Sequence, residues 1–472
     1  MVDSSVKNNR LNKTRILRVA ISTLTMAVVA SGYAAVGSKD LSRLGVEGTE
    51  LTPAGAIRAG NAKGTIPAWK SEPLKSPSGF KAGTFHPDPF ANDKVQFTIS
   101  SSNYLQYADN LTVGQKKMFE SYPEYFMNVY QTRRSAAFKP YINEAALENA
   151  KKAESFKGEN GRLGFKDAII AWAFPIPKNG DEAILNMVTR PQQPWIDSWD
   201  NVVAVTSSGD YELSKISVQQ HALWSEPDNT LENFDPAVDS YFYFQNIKSP
   251  ASIAGQVIVA NDPIHFVEKF RSAWVYNPGQ RRVKRAPQIV HDNPMPATDG
   301  LATTDQKFGL NGPKDRFNYK LLGKREVYIP YNAYKVNSGD LRTEDIIKSN
   351  GRLNQNHTRY ELHRVWIVEA SLRPGYKHDY SKRVFYLDED SWWITLMDGY
   401  DRDGDIWRLQ EIHSLMWYDV GFLGSTLETQ YDMKADRMLA LNVDNEDDAP
   451  DFSVRLKKSY FTPSSIRRRG VR

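Results

Sequence analysis

The chain of 472 residues has no cysteine. That excludes structural disulfides, thiolate zinc sites, iron–sulfur clusters, a cysteine nucleophile and an acylated N-terminal cysteine. Common catalytic signatures are missing too: there is no G-x-S-x-G, G-x-x-x-x-G-K-[ST], H-E-x-x-H or post-strand G-x-G-x-x-G. Histidine is scarce at eight residues, and the nearest pair, His357 and His363, has no third ligand in view. No cofactor and no metal centre are expected, because metal sites need clustered ligands.

An excess of one charge is also lacking. The formal net charge of +4 comes from the N-terminus, where Lys7, Arg10, Lys13, Arg15 and Arg18 precede an apolar run at 19–30. Small residues follow, with cleavage expected after Ala34 or Gly32, which is the plan of a secretory signal; the alternative is an uncleaved membrane anchor. Of the 60 Lys and Arg, five stand in residues 1–34 against one of the 56 acids, which leaves the rest balanced at 55 to 55. Nucleic acid is therefore not an expected partner. No later stretch reaches the ~18 continuous apolar residues of a spanning helix, and no fixed-period repeat is visible.

What the chain has in quantity is aromatic residues and strand patterns. Eleven Trp, 23 Tyr and 21 Phe are present. Residues 35–90 are rich in Gly and Pro and read as an extended arm, with a short helix at 52–60. Helices are expected at 103–122 and 143–157. Strand patterns then follow at 201–206, 211–218, 241–247, 255–260, 270–276, 281–285, 319–329, 361–372, 382–387, 392–400 and 405–413. Short turns between them imply antiparallel pairing. So many strands curl or split a twisted sheet. The expected organisation is a signal at 1–34, arm and helices at 35–158, the sheet at 159–460 and a solvated basic tail at 461–472.

Two features are candidates for binding. On a curved sheet, Trp366, Val368, Ile394, Leu396, Trp407 and Leu409 would share a concave face and line an apolar cavity, or else fill a core. Arg281, Arg282, Lys284 and Arg285 form the strongest basic run beyond the N-terminus. Strand alternation splits them between two faces. They would meet lipid headgroups or an acidic partner, or form salt-bridged edge charges. The acidic turns at Asp388, Asp390, Asp401 and Asp403 would serve a glycosidase only if they converged across a cleft. Asp401 to Asp405 otherwise reads as a hairpin turn.

Several segments together resemble a known family: Leu-Thr-Pro-Ala-Gly-Ala at 51–56, Ala-Gly-Asn-Ala-Lys-Gly-Thr-Ile-Pro-Ala-Trp at 59–69, and Asn-Pro-Gly-Gln-Arg-Arg-Val-Lys-Arg-Ala-Pro at 277–287. Further matches are Arg-Tyr-Glu-Leu-His-Arg-Val-Trp-Ile-Val-Glu-Ala at 359–370 and Lys-Arg-Val-Phe-Tyr-Leu-Asp-Glu-Asp-Ser-Trp at 382–392. The combination resembles domain-of-unknown-function family 1329, secreted proteins of Gram-negative bacteria similar to outer-membrane lipoprotein-sorting proteins. The resemblance implies a LolA/LolB-like fold: mainly β, a curved antiparallel half-barrel with packing helices and an apolar cavity for acyl chains. It further implies a periplasmic carrier of a hydrophobic small molecule or lipid. An outer-membrane β-barrel protein and a hydrophobe-exporting permease are its implied partners. It supplies no catalytic residues, and a chain without cysteine cannot be tethered as LolB is. The competing readings are an interaction protein that docks on such a partner, and a carbohydrate-active enzyme.

Overall fold

The structure, a computed structural model, describes residues 37–470. The signal expected at 1–34 lies outside the described residues. In chain order the elements begin with α1 (Ser38–Leu41), β1 (Phe97–Ser100), α2 (Val113–Ser121), β2 (Phe126–Val129), α3 (Pro140–Lys152), β3 (Glu154–Lys157), β4 (Leu163–Lys166) and α4 (Gly180–Thr189). A run of strands follows: β5 (Trp195–Trp199), β6 (Val202–Val205), β7 (Tyr211–Ala222), β8 (Asp239–Ser249), β9 (Val257–Pro263), β10 (Ser272–Asn277), β11 (Arg282–Arg285) and β12 (Phe317–Pro330). After α5 (Thr343–Ile346) come β13 (Tyr360–Leu372), β14 (Lys382–Asp388), β15 (Ile394–Tyr400), β16 (Ile406–Trp417), β17 (Phe422–Asp432), β18 (Arg437–Leu441) and α6 (Pro463–Gly470).

Turns too short for a crossover helix force neighbouring strands to pair antiparallel. The result is a large curved sheet in the order β12-β13-β14-β15-β16-β17-β18-β6-β7-β8-β9-β10-β11, which does not close into a barrel. The antiparallel pair β1–β2 joins at one parallel bridge, Val129 to Tyr360. β5 and β6 pair with β7 in one continuous register, interrupted at Asp200-Asn201. Asn201 replaces the broken ladder there, accepting the Ile216 N–H at 3.1 Å. The sheet thereby divides into a first leaf, β12 to β6, and a second leaf, β5 with β7 to β11.

Both faces of the first leaf are covered, so β17 is buried at every residue instead of at alternate ones. On one face Val368, Phe385, Ile394 and Ile412 pack against Trp172, Phe174, Ile184 and Leu185. On the other, Leu409 and Tyr431 meet Met118 and Phe119 of α2. α2 is seated by its N-terminus: Thr112 Oγ1 and the N–H groups of Val113 and Gly114 donate to Asp398 at 2.9, 3.1 and 3.1 Å. The helix expected at 103–122 is thus two pieces, a 3-10 turn at Tyr104–Asn110 and α2, separated by the Thr112 cap.

The arm departs further from expectation. Residues 52–60 form turns, not a helix. Their carbonyls are taken by side chains from distant parts of the chain: Trp392 Nε1 donates to Ala54 at 2.8 Å and Arg134 to Ile57 at 2.9 Å. Gly55 has φ +80°, and a Cβ there would lie 1.8 Å from the Pro175 carbonyl oxygen. The stretch expected to be helical at 143–157 is α3 followed by β3. The terminal stretch expected to be solvated forms α6, with Phe461 and Ile466 fully buried against Phe242, Val257 and Tyr276.

Candidate functional site

A cavity of about 180 Å³ lies on the second leaf, bounded by β6–β9, the end of α4 and the loop at 287–314. Strand alternation builds its floor. Tyr241, Tyr243 and Gln245 of β8 and Ile258, Ala260 and Asp262 of β9 face it. The intervening Phe242, Phe244, Val257 and Val259 pack on the opposite face. Leu185 and Met187 of α4 and Ile289, Met295 and Leu310 of the loop close it from above. For scale, an engineered apolar cavity of ~150 Å³ binds benzene.

Four cations line this mostly apolar space: Arg190, Arg271, Lys307 and Lys314. Arg271 grips Asp262 with two hydrogen bonds of 2.8 and 2.6 Å. Lys307 lies 2.9 Å from Asp200 and 3.7 Å from Glu428. Among the described residues, Arg190 and Lys314 form no ion pair. Arg190 stacks 4.1 Å over Trp393 and donates to the Met187 carbonyl, while its Nε has no partner. Lys314 donates to the Gly312 carbonyl. Burial penalises the charged form of each base. It pulls Arg190 down to about 10 and Lys314 down to about 7.

The six apolar residues expected on one concave face are not brought together, and none of them lines this cavity. Trp366, Val368 and Ile394 belong to the core under α4. Leu396 and Leu409 belong to two clusters on the other face. A bulge is the reason: Leu387 pairs with Ile394 but Tyr386 with Leu396, so Thr395 is extra and its neighbours point opposite ways. Trp366 stacks on Trp392 at 5.4 Å, and Trp407 donates to Asp432 at 2.9 Å. Val368, Ile394, Leu396 and Leu409 are core, and Trp366 and Trp407 are half-buried. The cavity forms on strands further along the sheet, where Tyr241-Phe242-Tyr243-Phe244 already carried the signal in its alternation of hydroxylated and plain rings.

The basic run sits on the edge strand. Arg281 occupies the turn with φ +51°, and Arg282, Lys284 and Arg285 lie on β11, all four exposed. None of them forms an ion pair among the described residues. The exposed Arg467 and Arg468 belong to α6, which packs across β9, β10 and β11.

The acidic turns do not converge on a cleft. Asp390 is buried and held by Arg134 at 2.9 and 2.6 Å, and Asp388 accepts from Tyr331 at 3.1 Å. His363, Asp388 and Asp390 have ligand atoms within 4.8 Å of one another. The Arg134 guanidinium occupies the cation's place on Asp390, and His363 Nε2 is 3.0 Å from Glu361. His357 is not part of this group. Asp401 instead caps its own hairpin, accepting the N–H groups of Asp403 and Asp405 at 3.0 Å each.

Sequence reasoning missed α4, which helps roof the cavity. Ala183, Ile184, Leu185 and Met187 are all buried, and so are the polar Glu182, Asn186 and Thr189, so the segment lacks the solvent-facing side that reveals an amphipathic helix. The usable signal was the cap: Asn179 accepts the Glu182 N–H at 3.0 Å, with Asp181 and Glu182 in the first turn.

The uncharacterized protein PA3922 of Pseudomonas aeruginosa is 40% identical over 466 residues, covering 98% of this chain and 100% of that protein. A DUF1329 family protein from Desulfovibrio piger superposes with a TM-score of 0.40 at 13% identity, over 60% of this chain and 95% of that one. A LolA superfamily protein from Nitrosomonas europaea gives a TM-score of 0.35 at 12% identity, over 61% and 98%. No helix among the described residues is long and apolar enough to cross a membrane. A family profile described as "Protein of unknown function (DUF1329)" matches residues 98–467, and with the Pseudomonas relative it establishes that this chain belongs to the DUF1329 family.

Proposed function

We propose that the protein is a periplasmic carrier that holds a hydrophobic ligand, a lipid or lipid-like molecule, in the cavity of the second leaf. The observation that carries this reading is the cavity itself: tyrosine and aliphatic side chains line a recess where a hydrocarbon leaves water. The two carboxylates on its wall, Asp200 and Asp262, are engaged by Lys307 and Arg271. The roof is α4 and the 287–314 loop, not the arm, which contributes no lining residue. Native mass spectrometry of protein purified from the periplasm, with uptake of a fluorescent fatty acid, tests the reading. Wild type is expected to carry or take up the ligand, and Ala260→Trp, which fills the cavity, to lose it with an unchanged circular dichroism spectrum. A folded wild type with neither bound lipid nor uptake overturns it.

The edge strand supports a second element of the same reading. A carrier must meet the surface where it loads or unloads. Four exposed cations on and beside β11, with Arg467 and Arg468 near by, favour an anionic lipid headgroup layer. Arg282→Glu with Lys284→Glu is expected to abolish sedimentation with phosphatidylglycerol vesicles. Equal sedimentation of wild type and variant removes the docking role. Exchange with an outer-membrane β-barrel protein and a hydrophobe-exporting permease belongs to this proposal, and crosslinking in intact cells followed by co-purification tests it.

A further inference from the structure

A cavity built only for a neutral hydrocarbon has no use for uncompensated charge, and the second leaf buries more positive than negative groups around its empty space. Arg271 and Lys307 are matched by Asp262 and Asp200. Arg190, only 4% exposed, keeps the Met187 carbonyl and sulfur and the Trp393 ring, Lys314, 7% exposed, keeps the Gly312 carbonyl, and neither has a carboxylate partner among the described residues. The Nε of Arg190 is buried and unpartnered. Asp305, the carboxylate that acts most strongly on Lys314, is already held by Arg383 at 2.9 Å and His378 at 3.0 Å, and Glu428, which acts on Arg190, is already bonded to the Phe308 N–H at 3.1 Å and the Gln410 amide at 3.2 Å. Burial raises its pKa, which weakens it as a counter-charge. A buried cation without a partner is costly unless something else supplies the charge.

We infer that the cavity selects an amphiphile with an oxyanion head, a carboxylate or a phosphate monoester on a hydrocarbon chain, the head seated against Arg190 and Lys314. The hydrocarbon lies along Tyr241, Tyr243, Ile258 and Ala260, and the head completes the charge pairing that the protein leaves open. A guanidinium offers a forked donor set to an oxyanion, and an ammonium adds a point charge. Binding also restores the proton on Lys314, which burial alone makes easy to lose near neutral pH.

The inference rests on the carrier reading, and one experiment separates their failures. Fluorescence titration compares cis-parinaric acid with its methyl ester, and a single-chain phosphate monoester competes for the site. The acid is expected to bind at least tenfold more tightly than the ester. Arg190→Gln combined with Lys314→Met is expected to remove that preference, so that acid and ester bind within twofold of each other. Competition by the monoester identifies phosphate as an accepted head, and its failure restricts the head to carboxylate. Equal binding of acid and ester by wild type overturns the anionic head and leaves the carrier reading standing. Binding of neither probe overturns both. Because the substitutions remove buried charge, the ligand-free variant is expected to melt no lower than wild type. If it does melt lower, Lys314→Met alone must still lower the acid-to-ester preference, or the inference fails.

Discussion

Two buried residues make opposite contributions to pH dependence. Lys314 is held neutral above about 7 in the folded chain, against the usual 10.5 once unfolded. Between those values the unfolded state binds more protons, so stability rises with pH. Its neighbours in that field are Asp305, Arg271, Asp262 and Arg383. Lys314→Met is expected to lose this rise, a difference of up to about 1.4 kcal/mol per pH unit, in urea melts of the ligand-free protein. Glu411 behaves oppositely. It accepts from Tyr360 at 3.1 Å and Tyr125 at 3.2 Å, and burial pushes it up to about 7 from the usual 4.5. Between those values the folded state binds more protons, so stability falls as pH rises. Glu411→Gln is expected to flatten this fall and to be the more stable protein at pH 7 and above, read by thermal melts across that window.

At the scale of elements, the arm is a structural part held by backbone carbonyls. Residues 51–56 are buried, and Gly55 allows a backbone-to-backbone approach that no side chain permits. Gly55→Ala combines a clash with a positive φ and is expected to cost about 2–4 kcal/mol. Limited proteolysis should then cut within 51–69 while the strand signal in circular dichroism persists. The strands from 201 to 413 were legible because short turn signatures separate period-2 patterns. β17 and β18 were not. In β17, Glu428 and Gln430 face inward to the Phe308 N–H and the Gln306 amide, at 3.1 and 2.8 Å. A buried strand with polar side chains facing inward reads locally as a loop. α4 was missed because its polar stripe, Glu182, Asn186 and Thr189, is as buried as its apolar one.

At the scale of the whole molecule, the near-neutral chain carries two separate concentrations of positive charge, one exposed and one buried. Salt distinguishes them, since the Debye length shrinks from about 30 Å at 0.01 M to about 3 Å at 1 M ionic strength. Vesicle sedimentation through the β11 edge is expected to vanish over that range. Uptake of the acid probe into the cavity is expected to change less than threefold, because buried pairs are screened much less. Loss of both together would show that one surface serves both events.

The sequence by itself determined a mainly β architecture, the pairing of neighbours through short turns, the location of the basic edge and the neutrality of the chain beyond its first residues. These are local properties: period, turn chemistry and charge count. Only the tertiary structure decided which face of each strand meets a cover and which meets a space. Period 2 assigns residues to alternate faces but names neither face, and the single extra residue at Thr395 sends Ile394 and Leu396 to opposite sides. The first leaf is filled from both sides by segments distant in sequence. The second leaf is roofed by a helix end and a loop that stand off it, and there the chain keeps its cavity.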